Sequence, residues 1–121
     1  MSFDSLLKRV CDDVAGCVSV ALMDQEGLVI AKHDAQEPAF DIEAVCVEAA
    51  GAFPAALRAA SSAQDARVEE LVIFLDNGTL LFRMLKEGRF VAAWLSPDAV
   101  IGRARFVLRT IRLDLEKELT G

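Results

Sequence analysis

Much of the usual equipment of an enzyme is missing from this sequence. There is a single histidine, His33, and no second imidazole with which it could share a metal ion. A catalytic serine would need a base beside it, and no Gly-x-Ser-x-Gly run presents one. Ser61-Ser62 has only Ala60 and Ala63 as neighbours, neither of which can activate a hydroxyl. The seven glycines are scattered singly, so neither kind of glycine-rich phosphate loop is present and the chain is not expected to bind a nucleotide by itself. Cysteine is scarce and odd in number: Cys11, Cys17 and Cys46 form no Cys-x-x-Cys pair and read as free, apolar-like thiols of a reducing cytoplasm. A zinc site built from these groups would have to gather ligands from three distant segments. The adjacent carboxylates Asp12-Asp13 and Glu69-Glu70 do not face each other on a helix or strand, and read as solvated charge at element ends. No catalytic, cofactor-binding or metal-ligating residue is assigned, no cofactor is expected, and the chain reads as a non-enzyme.

Positive charge is also in short supply. Thirteen Lys and Arg stand against nineteen Asp and Glu, a formal net charge of −6, which argues against nucleic acid as a partner. No apolar run approaches the ~20 residues of a membrane span, so no membrane partner is expected. Met1-Ser2-Phe3-Asp4-Ser5 lacks the basic cluster and apolar stretch of a secretory signal, and a cytoplasmic location is expected.

What is present is apolar substance. The 121 residues suit one domain, 1–121, and 54% of them are hydrophobic. A mean hydropathy of +0.34 is high for a small soluble domain, and the surplus calls for burial against a partner subunit. The charge is uneven too: residues 1–66 hold four basic against eleven acidic residues, −7, and residues 67–121 hold nine against eight, +1. A basic partner surface would be drawn to the first half.

Periodicity divides the chain into eight elements. A first helix, capped by Ser2 or Asp4, runs to about Val14 with Leu6, Leu7, Val10, Cys11 and Val14 at helical spacing. Cys17–Met23 and Leu28–His33 flank a turn at Asp24-Gln25-Glu26-Gly27 and form a hairpin. Asp41 caps a second helix, Ile42 to Ala60, whose core side carries Val45, Cys46, Ala49, Phe53, Ala56, Leu57 and Ala60. Its opposite side holds Ala44, Val47, Glu48, Gly51, Ala52, Ala55, Arg58 and Ala59, which is small and nearly uncharged where a solvent face would carry Lys and Glu. Alanine is the best helix former, so the composition has a plain explanation; the other is that a second helix backbone packs there, across a dimer. Pro54 predicts a kink near Ala50-Gly51.

Past a polar link from Ser61 to Arg67, the run Glu69 to Asp76 is apolar without alternation, as a strand covered on both faces would be. Asp76-Asn77-Gly78 marks a tight hairpin, Thr79–Leu85 the next strand, Glu87-Gly88 a turn, and Arg89–Leu95 the strand that completes a meander. Ser96-Pro97-Asp98 opens the last helix, to about Leu119, with Val100, Ala104, Val107, Leu108, Ile111, Leu115 and Leu119 as its stripe. Phe106 and Leu113 lie together off that stripe, where the first helix could pack. Arg105, Arg109 and Arg112 cluster beside it. Such a row suits an acidic partner or a phosphate, but is more often a solvated border that can pair with Asp12 or Asp13.

The order α-β-β-α-β-β-β-α, the stretch Val18–Ala31 with its strand, Asp-x-x-Gly, strand pattern, the Ala/Gly-rich helix around Val47–Leu57, and Ile101-Gly102-Arg103-Ala104-Arg105 together resemble the Roadblock / dynein light chain domain family. The resemblance spans nearly the whole chain and is nearest to short stand-alone bacterial members, which are often associated with a small Ras-like GTPase. It implies an α/β (α+β) fold, profilin-like, with a five-stranded, mainly antiparallel sheet flanked by helices. It also implies a dimer, with itself or a related Roadblock chain, in which third strands pair edge to edge and second helices pack across the dyad. Carried onto this sequence, the interface is Ala44, Val47, Glu48, Gly51, Ala52, Ala55 and Ala59 of the helix with Leu71, Val72, Ile73, Phe74 and Leu75 of the strand. Glu48, Arg58, Arg105, Arg109 and Arg112 are the candidate partner-binding residues. The family offers no invariant arginine to carry over as a catalytic finger, and Pro54 departs from its second-helix pattern. The expected function is a dimeric, non-enzymatic regulator of a small GTPase, with a structural adaptor that tethers a motor, kinase or polarity complex as the alternative. A sensor domain ranks last, since the strands offer only Ser19 and Thr79 as polar pocket groups.

Overall fold

A computed structural model of the chain describes residues 2–62 and 67–120; the polar link predicted from Ser61 to Arg67 lies largely outside them. Leu6, Leu7 and Val10 give the first helix, α1 (Phe3–Asp13), its buried stripe, and Ser2 caps it by accepting the Ser5 N–H at 3.1 Å. Strands β1 (Cys17–Met23) and β2 (Val29–Asp34) form the expected hairpin. Its turn is held by Asp24, whose Oδ1 accepts the N–H groups of Glu26 and Leu28, both at 2.9 Å, while Gly27 takes a φ of +85°. Asp41 caps α2 (Ile42–Ser61) through the Glu43 N–H at 3.0 Å. Strands β3 (Glu70–Leu75), β4 (Gly78–Met84) and β5 (Phe90–Leu95) follow as a meander, and α3 (Ile101–Thr120) closes the fold.

The sheet order is β2-β1-β5-β4-β3, antiparallel throughout, so β3 and β2 are its edges. Alternation along the strands sends two sets of side chains to opposite faces. On one face Val20, Leu22, Leu81, Val91, Ala93 and Leu95 pack under α1 and α3; on the other Ala21, Met23, Leu80, Phe82, Phe90, Ala92 and Trp94 pack under α2. Phe53 drives into the α2 side, edge-on to Phe90 at 4.8 Å and to Phe82 at 5.6 Å. The hairpin glycine Gly78 has no room for a side chain, since a Cβ there would collide with the Trp94 ring and the Leu95 carbonyl.

Several sequence expectations give way. The last helix starts at Ile101, because Ser96-Pro97-Asp98 is spent on a turn in which the Ala99 N–H reaches the Ser96 carbonyl. Val100 therefore falls outside the helix and its stripe, and is exposed. Phe106 and Leu113 are also exposed, because α1 packs on the buried stripe and not beside them. Leu57, assigned to the core side of α2, is exposed near the end of that helix, where it lines a groove.

Candidate functional site

The predicted interface is built on α2 and β3. Ile42, Cys46 and Phe53 fix the rotation of α2 against the sheet, and this turns Ala44, Val47, Glu48, Gly51, Ala52, Ala55, Arg58 and Ala59 outward, every one exposed. Gly51 stands open, with nothing among the described residues within 4 Å of the position of an added Cβ. The only large apolar side chain in that row is Val47, at 49% exposure.

Strand β3 has one paired side. Its register with β4 runs from Glu70 opposite Arg83 to Leu75 opposite Gly78, and among the described residues its other side has no neighbouring strand. Leu71 packs with the α2-side core and Val72 with the α1/α3-side core. By alternation Ile73 and Leu75 share the α2 side and Phe74 the other. Within the single chain the strand is not covered on both faces, as its unbroken apolar run had predicted. Ile73 is 38%, Phe74 69% and Leu75 46% exposed, because neither helix layer reaches the far end of the edge strand. The two edges differ in chemistry. The β2 edge carries Lys32 and Asp34 and an irregular register between Leu22 and Met23, devices that discourage further pairing; past Glu70, β3 carries only apolar residues.

The arginine row does not act as one group. Arg105 donates from Nε to Glu70 Oε1 at 2.7 Å, and the other oxygen of Glu70 lies 3.8 Å from Arg83. Glu70 is thus enclosed between two guanidinium groups rather than solvated, and it ties the base of β3 to α3. Arg83, which the sequence reading passed over, is buried at 7% exposure with its Nε unpartnered. Its only sequence signal was a charge amid a fourth strand of otherwise apolar and neutral residues. Neither Asp12 nor Asp13 offers the row a carboxylate partner: Arg103 bonds the Asp13 carbonyl, and Asp12 pairs with Lys8. Arg109 is exposed, and Arg112 lines a groove of about 360 Å³ with Val68, Leu113 and Glu116. The arginines and the α2–β3 surface are therefore separate features, with Glu70 and Arg105 at the joint between them.

A second groove, of about 430 Å³, runs between the C-terminal half of α2 and the sheet, lined by Phe53, Pro54, Leu57, Met84 and Gln25. Its lining is largely apolar and presents no acid–base pair. Burial, with Asp41 and Glu43 nearby, pushes the Cys46 thiol up to about 12. Among the described residues no three His, Cys, Asp or Glu groups gather as a metal-ligand set, and no helix is long and apolar enough to cross a membrane.

No protein-family model matches the chain, and no curated protein matches it either. Solved structures do. A Roadblock/LC7 domain from Streptomyces avermitilis superposes with a TM-score of 0.85 at 18% identity, covering 100% of both chains. MglB from Myxococcus xanthus gives 0.85 at 16% identity, over 97% of this chain and 86% of that one. MglC from the same organism gives 0.68 at 23% identity, over 98% and 99%. The chain has the Roadblock/LC7 fold, in the element order its sequence predicted.

Proposed function

We propose, with the Roadblock/LC7 fold as premise, that the chain is a dimeric, non-enzymatic cytoplasmic regulator that binds a small Ras-like GTPase and alters its nucleotide cycle or its location. One observation carries the dimer: an edge strand that is apolar past Glu70 and exposes Ile73, Phe74 and Leu75 belongs to the sheet on which α2 packs, and α2 turns a face of small residues outward. An open edge of this composition is an aggregation hazard unless it is paired. A second copy docked antiparallel on β3 would extend the sheet to ten strands and bring Ala44, Val47, Glu48, Gly51, Ala52, Ala55 and Ala59 against their counterparts across a two-fold axis. The surface formed by the paired second helices, with Glu48 and Arg58 at its rim, is the docking surface for the GTPase; Arg109 and Arg112, on α3 across the sheet, lie outside it.

The GTPase assignment rests on the family resemblance and on the fold shared with MglB and MglC. Light scattering at micromolar concentration tests the dimer, with an expected mass about twice 13.1 kDa. GTP turnover by a small GTPase encoded beside this protein, measured with and without it, tests regulation. A changed rate is expected; binding with unchanged turnover would make the chain a tether, and a clean monomer would remove the proposed docking surface.

A further inference from the structure

Cys11 lies in the last turn of α1 and Cys17 is the first residue of β1. The chain between them reverses on Gly16, whose φ of +89° and close fit against Ser96 and Ala99 admit no side chain. That reversal is tied down on several sides. The Val14 N–H bonds the Val10 carbonyl, the Cys17 N–H bonds the Val14 carbonyl, and the Gly16 carbonyl accepts from Ser96. The outcome is a pair of free thiols in direct hydrogen-bond contact, Sγ to Sγ 3.3 Å, on rigid backbone. Cys17 is buried while Cys11 is half-buried, so Cys11 is the more accessible residue of the pair.

We propose that Cys11 and Cys17 are an oxidisable dithiol, a modification site at which a hydroperoxide converts the two thiols into an intramolecular disulfide joining α1 to β1. The division of labour follows from the environments. The hydrogen bond from Cys17 favours the thiolate of Cys11 and outweighs its partial burial and the nearby Asp12 and Asp34; the same bond, with burial, holds Cys17 as the thiol. In the first step the Cys11 thiolate attacks a peroxide oxygen. An S–O bond forms, the O–O bond breaks, and the departing hydroxide (or alkoxide) takes up a proton equivalent to the one Cys11 released. The peroxide is reduced by two electrons and Cys11 becomes a sulfenic acid. In the second step the Cys17 sulfur attacks the Cys11 sulfur, the S–S bond forms, the S–O bond breaks, and the hydroxyl leaves as water with the Cys17 proton. Cys46 takes no part, being buried on the opposite face of the sheet. No third His, Cys, Asp or Glu among the described residues joins the pair as a metal-ligand set.

Tryptic cleavage after Arg9 and Lys32 leaves both cysteines in one peptide, residues 10–32, and Cys46 in another, residues 33–58. Reduced full-length protein is treated with hydrogen peroxide, blocked with iodoacetamide under denaturing conditions, digested and weighed. The expected result is a 10–32 peptide lighter than its reduced form by about 2 Da and unalkylated, with Cys46 alkylated. In Cys17→Ala the second step has no nucleophile, so a sulfenic acid should persist on Cys11 and be captured by dimedone. Doubly alkylated 10–32 peptide, after peroxide exposure sufficient to oxidise free cysteine, would overturn the proposal. So would sulfinic acid or intermolecular disulfide in place of the internal bond; the wild-type measurement stands even if the variant folds poorly.

Discussion

Glu70 holds two arginines of unequal standing. Arg105 is half exposed and can find water, whereas Arg83 is enclosed and depends on the carboxylate 3.8 Å away. Removing one partner of a buried ion pair leaves the other charge desolvated and unpaired. Glu70→Ala should therefore cost about 2–3 kcal/mol in urea unfolding, while Arg105→Ala should fall within about 1 kcal/mol of the parent. Gly78 makes a different kind of demand, steric rather than electrostatic. Gly78→Ala forces a methyl into the Trp94 ring, and overpacking of that kind should cost about 1–3 kcal/mol, read as a lowered thermal midpoint. At Cys46 the prediction is kinetic. A thiol raised to about 12 exposes roughly a thousandth of the thiolate that one of ordinary pKa 9.0 offers near pH 7. Alkylation of Cys46 in folded protein should be slower than in urea-unfolded protein by a comparable factor, with the gap narrowing as pH rises toward that value.

At the scale of elements the informative pair is α2 and β3. Gly51 costs the helix about 1 kcal/mol relative to alanine, and no contact among the described residues repays it, because the space beside it is open. A close approach by a second backbone would. Gly51→Leu should leave the monomer folded, with helical circular dichroism intact, yet weaken self-association about tenfold or more, the equivalent of ~1.4 kcal/mol; sedimentation across a dilution series reads it. Phe74→Lys adds a charge to the β3 edge without touching the core and should drive the same equilibrium toward monomer. Unchanged association in both variants would place the dimer contact elsewhere. Pro54 cannot supply the N–H that the Ala50 carbonyl would otherwise accept, and it lines the groove beside Phe53.

For the whole molecule, the surplus of apolar side chains suggested by a mean hydropathy of +0.34 is only partly consumed by the two cores. The remainder is spread over the β3 end, Val47 and Leu57 on α2, Leu28 to Ile30 at the other edge, and Val100, Phe106 and Leu113 around α3. If the β3 end is buried in a dimer, the thermal midpoint should rise with protein concentration, since dissociation is then linked to unfolding. A midpoint independent of concentration from nanomolar to high micromolar would oppose the dimer.

The sequence by itself determined the three helices, the five strands and their order, because amphipathic period, caps and turn residues are local signals. Asp41, the Asp24 turn and the small outward face of α2 were readable from residue type and spacing, while Ser2 and Asp4 stood as alternative caps of α1. Tertiary structure alone decided what depends on residues far apart in the chain. It made β3 an edge by inserting β5 between β1 and β4. It paired Glu70 with Arg83 and Arg105, left Phe106 and Leu113 facing out, and turned Gly16 so that two cysteines which had read as unrelated thiols touch. Periodicity records which face of an element is apolar; which neighbour covers that face, and how far along it the cover extends, is fixed only when the layers pack.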